Sequence, residues 1–504
     1  MPAQRVRHVF ALAIAMAALA LLPSAAGAHP EECAGGGAFA PTADFFAKFA
    51  ESEGCMPAAA VDGLDDSGAQ LAPGDATGTP NLAHLSNTPK VAPFEAEGDY
   101  NSDLAFENGY AFQGNYDGVQ IYDVRQPDRP ALASFIHCPG SQNDVTVNDG
   151  ILVTSTDSVR NKAECEGNVS VPTTSAEYGQ PTNWEGLRIF DVRNPYRPQY
   201  MGAVRTDCGS HTHTVLPEAG RLLVYVSSYD INASKYECKG PHDQISVVAI
   251  PRANPANARV IAEPVLFPDG GNDGTTGTLR ATTGCHDITV YQELHLAAGA
   301  CTGEGIMMDI SNPVRPQVLS NIEDTNFAFW HSATISNDGR RVLFTDELGG
   351  GSAPTCNPTI GPRRGADAIY DITDPTNPQF MSYFKIPRTQ SNTENCVAHN
   401  GNLIPNKKGR DILVQSWYQG GMSVIDWTKP NKIKEIAWFD RGPIDATRLV
   451  LGGFWSTYFY NGYIFGSEIQ RGFDVFRLDD KAVKGSEKFT TNTLNAQTQF
   501  IQAR

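Results

Sequence analysis

Basic residues, helical periodicity and long apolar runs are all scarce in this sequence. The chain has 39 Lys and Arg against 56 Asp and Glu, a formal charge of −17. Such a surface repels phosphate backbones and anionic headgroups, so nucleic acid is not an expected partner. A run of about 20 apolar residues, the length that crosses a bilayer, occurs nowhere after the N-terminal segment, and no membrane span is expected. The sequence also lacks G-x-S-x-G, H-E-x-x-H, G-x-x-x-x-G-K-[ST] and an EF-hand loop, which removes the commonest hydrolase, zincin, nucleotide and calcium signatures. With 33 Pro and 47 Gly, the composition favours many short strands joined by turns.

The N-terminus, "MPAQRVRHVFALAIAMAALALLPSAAGAHP", places Arg5 and Arg7 before an apolar stretch that ends in the small residues Ala26, Gly27 and Ala28. It reads as a secretory signal over residues 1–28, without a lipobox-like cysteine at the cut, and predicts a secreted or periplasmic protein. Cleavage would remove two arginines and no acid, taking the formal charge from −17 to −19. Ten cysteines follow the signal. An even number in an oxidising compartment favours disulfides over thiolate metal sites and leaves no thiol for a cysteine nucleophile.

Self-similarity runs through the rest of the chain. "GVQIYDVRQPDRPALASF" (118–135), "GLRIFDVRNPYRPQYMGAV" (186–204), "GIMMDISNPVRPQVLSNI" (305–322), "ADAIYDITDPTNPQFMSYF" (366–384) and "GMSVIDWTKPNKIKEIAWF" (421–439) share one plan. An alternating strand ends in Asp (Asp123, Asp191, Asp309, Asp371, Asp426), a proline-bearing turn follows, and a second strand returns. A degenerate copy fills 244–263, and "GFDVFRLDD" (472–480) begins a seventh. Upstream of each pair lies a hairpin with a turn such as "ENG", "NDG" or "YNG". Each unit is therefore four antiparallel strands, a to d from the axis outward, and seven such units predict an all-β, seven-bladed β-propeller over 81–481. The last unit lacks strand d, and "NTPKVAPFEAEG" (87–98) reads as the N-terminal outer strand that closes the ring. Residues 29–80 read as a small disulfide-tied cap (Cys33–Cys55) with a flexible linker, and 482–504 as a surface tail.

The recurring "IYDV…P..P" pattern resembles the LVIVD-repeat family of exported bacterial and archaeal β-propellers. The resemblance implies architecture and says little of activity, because propellers host hydrolases, oxidases, lectins and scaffolds alike.

Aligning strand a of the seven blades puts Ser102, Asn143, His211, His286, His331, His399 and Trp455 in one column. Strand a is innermost, so these positions ring one mouth of the central channel, and four imidazoles from neighbouring blades can converge on an ion. Neutral imidazole suits Fe, Cu, Zn and Ni. The competing reading is structural: strand starts fix incoming loops, as Asp103, Asp144 and Asp287 one place later are expected to do. His213, two places along strand a, is either an additional ligand or a packed channel residue. His242, beside strand c, His295, inside strand b, and His84 and His137, near blade edges, read as loop or packing residues. The b–c connections on the same face bring Glu304, Asp346, Glu347 and Glu468, candidate acceptors for the second N–H of a ligating imidazole. Long insertions at 157–184, 229–242 and 347–364 form a lid there. Pairing neighbouring cysteines ties this lid down: Cys138–Cys165, Cys208–Cys238, Cys285–Cys301 and Cys356–Cys396.

The expected function is that of a metal-dependent oxidoreductase holding one Fe(II) or Cu ion through His211, His286, His331 and His399. A small molecule, with O₂ a candidate, would be its substrate. The site logic resembles two other propeller groups, the four-histidine carotenoid oxygenases and the copper-dependent methanethiol oxidase (selenium-binding protein) family, although none of their sequence motifs is present. The rival expectation is a non-catalytic cell-surface or periplasmic scaffold, with structural histidines and a protein partner on the lid face.

Overall fold

The computed structural model describes residues 71–229, 231–232, 234–275 and 280–500. The signal segment 1–28, the Cys33–Cys55 cap and the linker up to residue 70 lie outside the described residues. Seven sheets form the blades of a β-propeller, six with four consecutive strands each and the seventh with three, completed by a strand from the beginning of the ring. Short 3₁₀ turns are the only helical segments among the described residues.

Local chemistry explains the repeat. Strand c ends at the recurrent Asp, where the chain must turn, and that Asp accepts the backbone N–H two residues on. Asp123 does so from Arg125 (3.1 Å), Asp191 from Arg193 (3.0 Å), Asp309 from Ser311 (2.7 Å), Asp371 from Thr373 (2.8 Å) and Asp426 from Thr428 (3.2 Å). These are Asx turns, and the prolines that follow cannot extend the strand. The a–b hairpins turn on paired positive-φ residues, Asn108–Gly109 (52° and 81°) and Asn461–Gly462 (46° and 96°), the two-residue geometry that matches strand twist.

Apolar residues that alternate along the strands meet those of the next blade. Val145, Leu152 and Phe190 pack on Phe112 and Ile121 between the first two blades, and Leu216, Leu223 and Tyr225 meet Ile288 and Val290 between the third and fourth. The last and first blades meet in the same way, through Tyr458, Phe465 and Val475 against Phe106 and Tyr122. The ring is thus a closed series of blade–blade interfaces.

Three boundaries differ from the sequence reading. The closing strand is Leu82–Thr88, antiparallel to Gly472–Leu478, and not residues 87–98. Pro89 and Pro93 in the latter stretch have no N–H to give to a ladder. Ala76–Gly78, read as linker, pairs with the outer strand Lys434–Arg441 of the sixth blade. Residues 493–499, read as part of a surface tail, run instead across the channel mouth opposite the strand-a starts. Thr493–Asn495 lies antiparallel to the first blade's strand a, and Thr498–Gln499 parallel to the fourth's. His295 is also placed differently: it occupies the a–b turn of the fourth blade at φ 52°, ahead of strand b (Leu296–Cys301).

Asn495 shows how the tail is held. Its side-chain oxygen accepts from Val147 N at 2.8 Å, and its amide donates to Val147 O at 3.0 Å, both buried. Asn495→Ala strips both partners from a buried backbone unit and is expected to cost roughly 1–3 kcal/mol in urea unfolding. An unchanged unfolding midpoint would show that the tail adds nothing to the ring.

Candidate metal centre

The strand-a starts of blades three to six converge at one mouth of the channel. His211 directly precedes Thr212–Pro217, His286 directly precedes Asp287–Tyr291, His331 is the second residue of Trp330–Ile335, and His399 lies two before Gly401–Leu403. All four rings are buried, none more than 3% exposed. They form an arc with ring centroids 4.3 Å apart for His211 and His286, 4.0 Å for His286 and His331, and 4.3 Å for His331 and His399. The four residues span the chain from 211 to 399, so the ring geometry alone assembles them.

Within the arc the nitrogens are differently engaged. His211 faces Asp157 Oδ2 with Nδ1 (2.6 Å) and His286 Nε2 with its own Nε2 (2.8 Å). His399 donates from Nδ1 to the carbonyl of Trp455 (2.5 Å), and Thr345 Oγ1 lies 3.4 Å from His331 Nδ1. Glu347 faces two of the remaining nitrogens, with Oε2 3.7 Å from His331 Nε2 and Oε1 3.7 Å from His399 Nε2, and Asp287 Oδ1 lies 3.5 Å from the third, His286 Nδ1. Tyr418 donates to Glu347 Oε1 at 2.6 Å. Two sets of potential ligand atoms lie mutually within 4.8 Å: His286, Asp287 and His331, and His331, Glu347 and His399. Imidazole and carboxylate donors at these separations suit a transition-metal ion, because bonds of about 2.1 Å put adjacent ligand atoms about 3–3.7 Å apart.

Burial sets the charge state of these groups. It pushes His286 well below the usual imidazole range, with the neighbouring His211 adding to the effect, and pushes His399 down to about 3. Both rings are neutral at physiological pH, the form that ligates metals. Burial likewise pushes Asp287 up to about 7, with Asp144 adding to the effect, and Glu347 up to about 8, the hydrogen bond from Tyr418 and the charge of Arg280 opposing it only in part. Aromatic rings wall the arc: Tyr229 stacks on His286 (5.3 Å), Phe329 meets it edge-on (5.4 Å), and Tyr418 and Trp455 flank His399 (4.5 and 5.3 Å). Tyr229 belongs to the lid that Cys208–Cys238 ties down, and Cys138–Cys165, Cys285–Cys301 and Cys356–Cys396 are bonded around the same face.

Of the four acids expected near the imidazoles, only Glu347 is there. Glu304 accepts from Asn272 N (2.9 Å), Thr282 Oγ1 (2.7 Å) and Asn321 Nδ2 (2.6 Å), and so secures the loop ahead of the fourth blade. Asp346 accepts the backbone N–H groups of Ala328 (2.9 Å), Phe329 (3.0 Å) and Gly365 (2.6 Å). Glu468 accepts from Gly453 N (2.9 Å) and Gln470 N (2.7 Å). Buried loop N–H groups need acceptors, and these three carboxylates supply them. His213 is packed, not presented to the arc: Thr146 Oγ1 lies 2.7 Å from its Nε2 and Ser155 Oγ 2.8 Å from its Nδ1. His242 approaches Asp207 and Cys208, but Cys208 is disulfide-bonded and has no thiolate to offer. Sequence reasoning missed Asp157, whose only signal was its place at the head of the first lid insertion. It also read Asp287 as a loop anchor. Asp103 and Asp144 do anchor neighbours, accepting from Tyr458 Oη (2.6 Å) and His213 N (2.9 Å), whereas neither Asp287 oxygen has a hydrogen bond among the described residues.

No known protein family and no curated protein matches the chain. Among solved structures it is similar to the periplasmic gluconolactonase of Pseudomonas aeruginosa, at 12% identity and a TM-score of 0.49, covering 79% of this chain and 96% of that one. It is also similar to hydrazine synthase of Kuenenia stuttgartiensis, at 9% identity and a TM-score of 0.48, covering 77% and 100%. At such identities the likeness concerns the ring fold alone.

The Asp346 anchor generates a direct test. Asp346→Ala leaves three buried N–H groups around the His331 strand start without their acceptor and should cost roughly 2–4 kcal/mol of stability. A variant as stable as the parent in chemical denaturation would remove this role.

Proposed function

We propose that the protein is an exported metal-binding β-propeller acting as a metal-dependent oxidoreductase, its ion Fe(II) or Cu. The observation that carries this reading is the arc itself, in which four buried imidazoles from four successive blades lie ring against ring beside Glu347 and Asp287. Bringing that many imidazoles into a dry pocket has no evident value for packing, which apolar rings would serve better. Four disulfides support export to an oxidising compartment.

The chemistry such an ion supplies is electron exchange with a small molecule, O₂ included. The protein's own part is positional. Asp157 and the Trp455 carbonyl fix the orientation of His211 and His399. Tyr418 holds Glu347 in place, and the aromatic wall excludes water. Because the imidazoles are almost wholly covered, a substrate larger than O₂ reaches them only when the lid loops part.

A scaffold function has one observation in its favour: His211 and His286 hydrogen-bond directly through their Nε2 atoms at 2.8 Å, a contact that engages both atoms without an ion. Elemental analysis of protein purified without a histidine tag separates the two. The oxidoreductase reading predicts about one equivalent of Fe or Cu per chain, lost when His286 and His331 are both changed to Ala while the β circular-dichroism signal persists. A metal-free, fully stable protein would establish the scaffold instead.

A further inference from the structure

Resting on the metal-binding reading, we infer that the ion is held not by four imidazoles but by His331, His399 and Glu347. The His211–His286 pair stands beside this set as hydrogen-bonded neighbours. The argument starts from a tautomer. The Trp455 carbonyl can only accept, so the hydrogen of neutral His399 sits on Nδ1 and its Nε2 presents a bare lone pair. That lone pair faces a carboxylate oxygen of Glu347 at 3.7 Å. An ion placed between them would be bonded by both atoms.

The spacing argues in the same direction. At 3.7 Å the Glu347 oxygens are too far from His331 Nε2 and His399 Nε2 for hydrogen bonds. Two ligand atoms on bonds of about 2.1 Å reach that separation when the angle at the metal is about 120°. His211 and His286 behave differently: their Nε2 atoms are in direct hydrogen-bond contact, with no room for an ion between them. His211 also belongs to neither of the close ligand sets.

Two imidazoles and one carboxylate on one side of an ion leave its other positions open, the donor pattern of non-haem Fe(II) centres. It also changes the charge. Glu347 belongs to this ligand set and Asp287 to the neighbouring one that shares His331, so two buried carboxyls lie near the ion. Their negative charge offsets the ion's, so the centre favours a divalent metal over Cu(I) and a neutral co-substrate such as O₂ over an anion.

The test is metal content after reconstitution with Fe(II), together with X-ray absorption of the Co(II)-loaded wild-type protein, which requires no variant to fold. The inference predicts that Glu347→Gln and His399→Ala bind at least about tenfold more weakly, that His211→Ala keeps the metal they lose, and that absorption shows about two imidazoles with oxygen donors. Metal kept by Glu347→Gln and lost by His211→Ala, or absorption showing four imidazoles, would overturn this ligand set while leaving the metal-binding reading intact. Wild-type protein that takes up no metal would overturn both.

Discussion

Closure of the ring is the constraint on which the site depends. Leu82–Thr88, from the beginning of the propeller, completes the blade built by its last strands, Phe454–Tyr460, Tyr463–Glu468 and Gly472–Leu478. A propeller stacks blade on blade through apolar faces that can slide, and each interface alone would tolerate a small error. Hydrogen-bonding the two ends of the chain together removes that freedom, because seven blades must then fit one full turn. The four imidazoles come from four blades, so their separations of about 4 Å inherit the precision of the closed ring.

The two mouths of the channel have been put to different uses. At one, the tail segments Thr493–Asn495 and Thr498–Gln499 cover the free edges of strand a in the first and fourth blades. Their amide side chains bond backbone groups of further blades, Asn495 at Val147 and Gln499 at Ile335. At the other, disulfide-tied loops cover the histidine arc. Between the two runs a polar lining of Asp103, Asp144, His213, Ser155 and Tyr458, largely satisfied by mutual hydrogen bonds. The arc is set apart from this lining by its carboxyl groups, which face imidazoles at longer range: Asp287 faces His286 Nδ1 at 3.5 Å, and Glu347 faces His331 and His399 at 3.7 Å.

The fold was legible because its repeat is written in chemistry that recurs with each blade, an alternating strand, an Asp that caps the turn and a proline beyond it. The histidine column followed from aligning those repeats. The bonded cysteine pairs followed from topology, since each joins segments that the propeller makes neighbours. What escaped has a common cause. Glu304, Asp346 and Glu468 occupy the same kind of loop as Glu347, and only coordinates distinguish an acid that satisfies backbone N–H groups from one that faces an imidazole. The tail was misread for a similar reason: its Asn, Gln and Thr residues look solvent-facing in sequence, yet they bond backbone groups inside the ring.

The central claim is that imidazoles from separate blades share a metal ion at the lidded mouth. Crystals of untagged protein, with diffraction recorded on both sides of the iron and copper absorption edges, address it most directly. The account predicts an anomalous peak about 2–2.3 Å from Nε2 of both His331 and His399. A well-ordered arc with no anomalous density, its rings bonded only to protein and water, would contradict it.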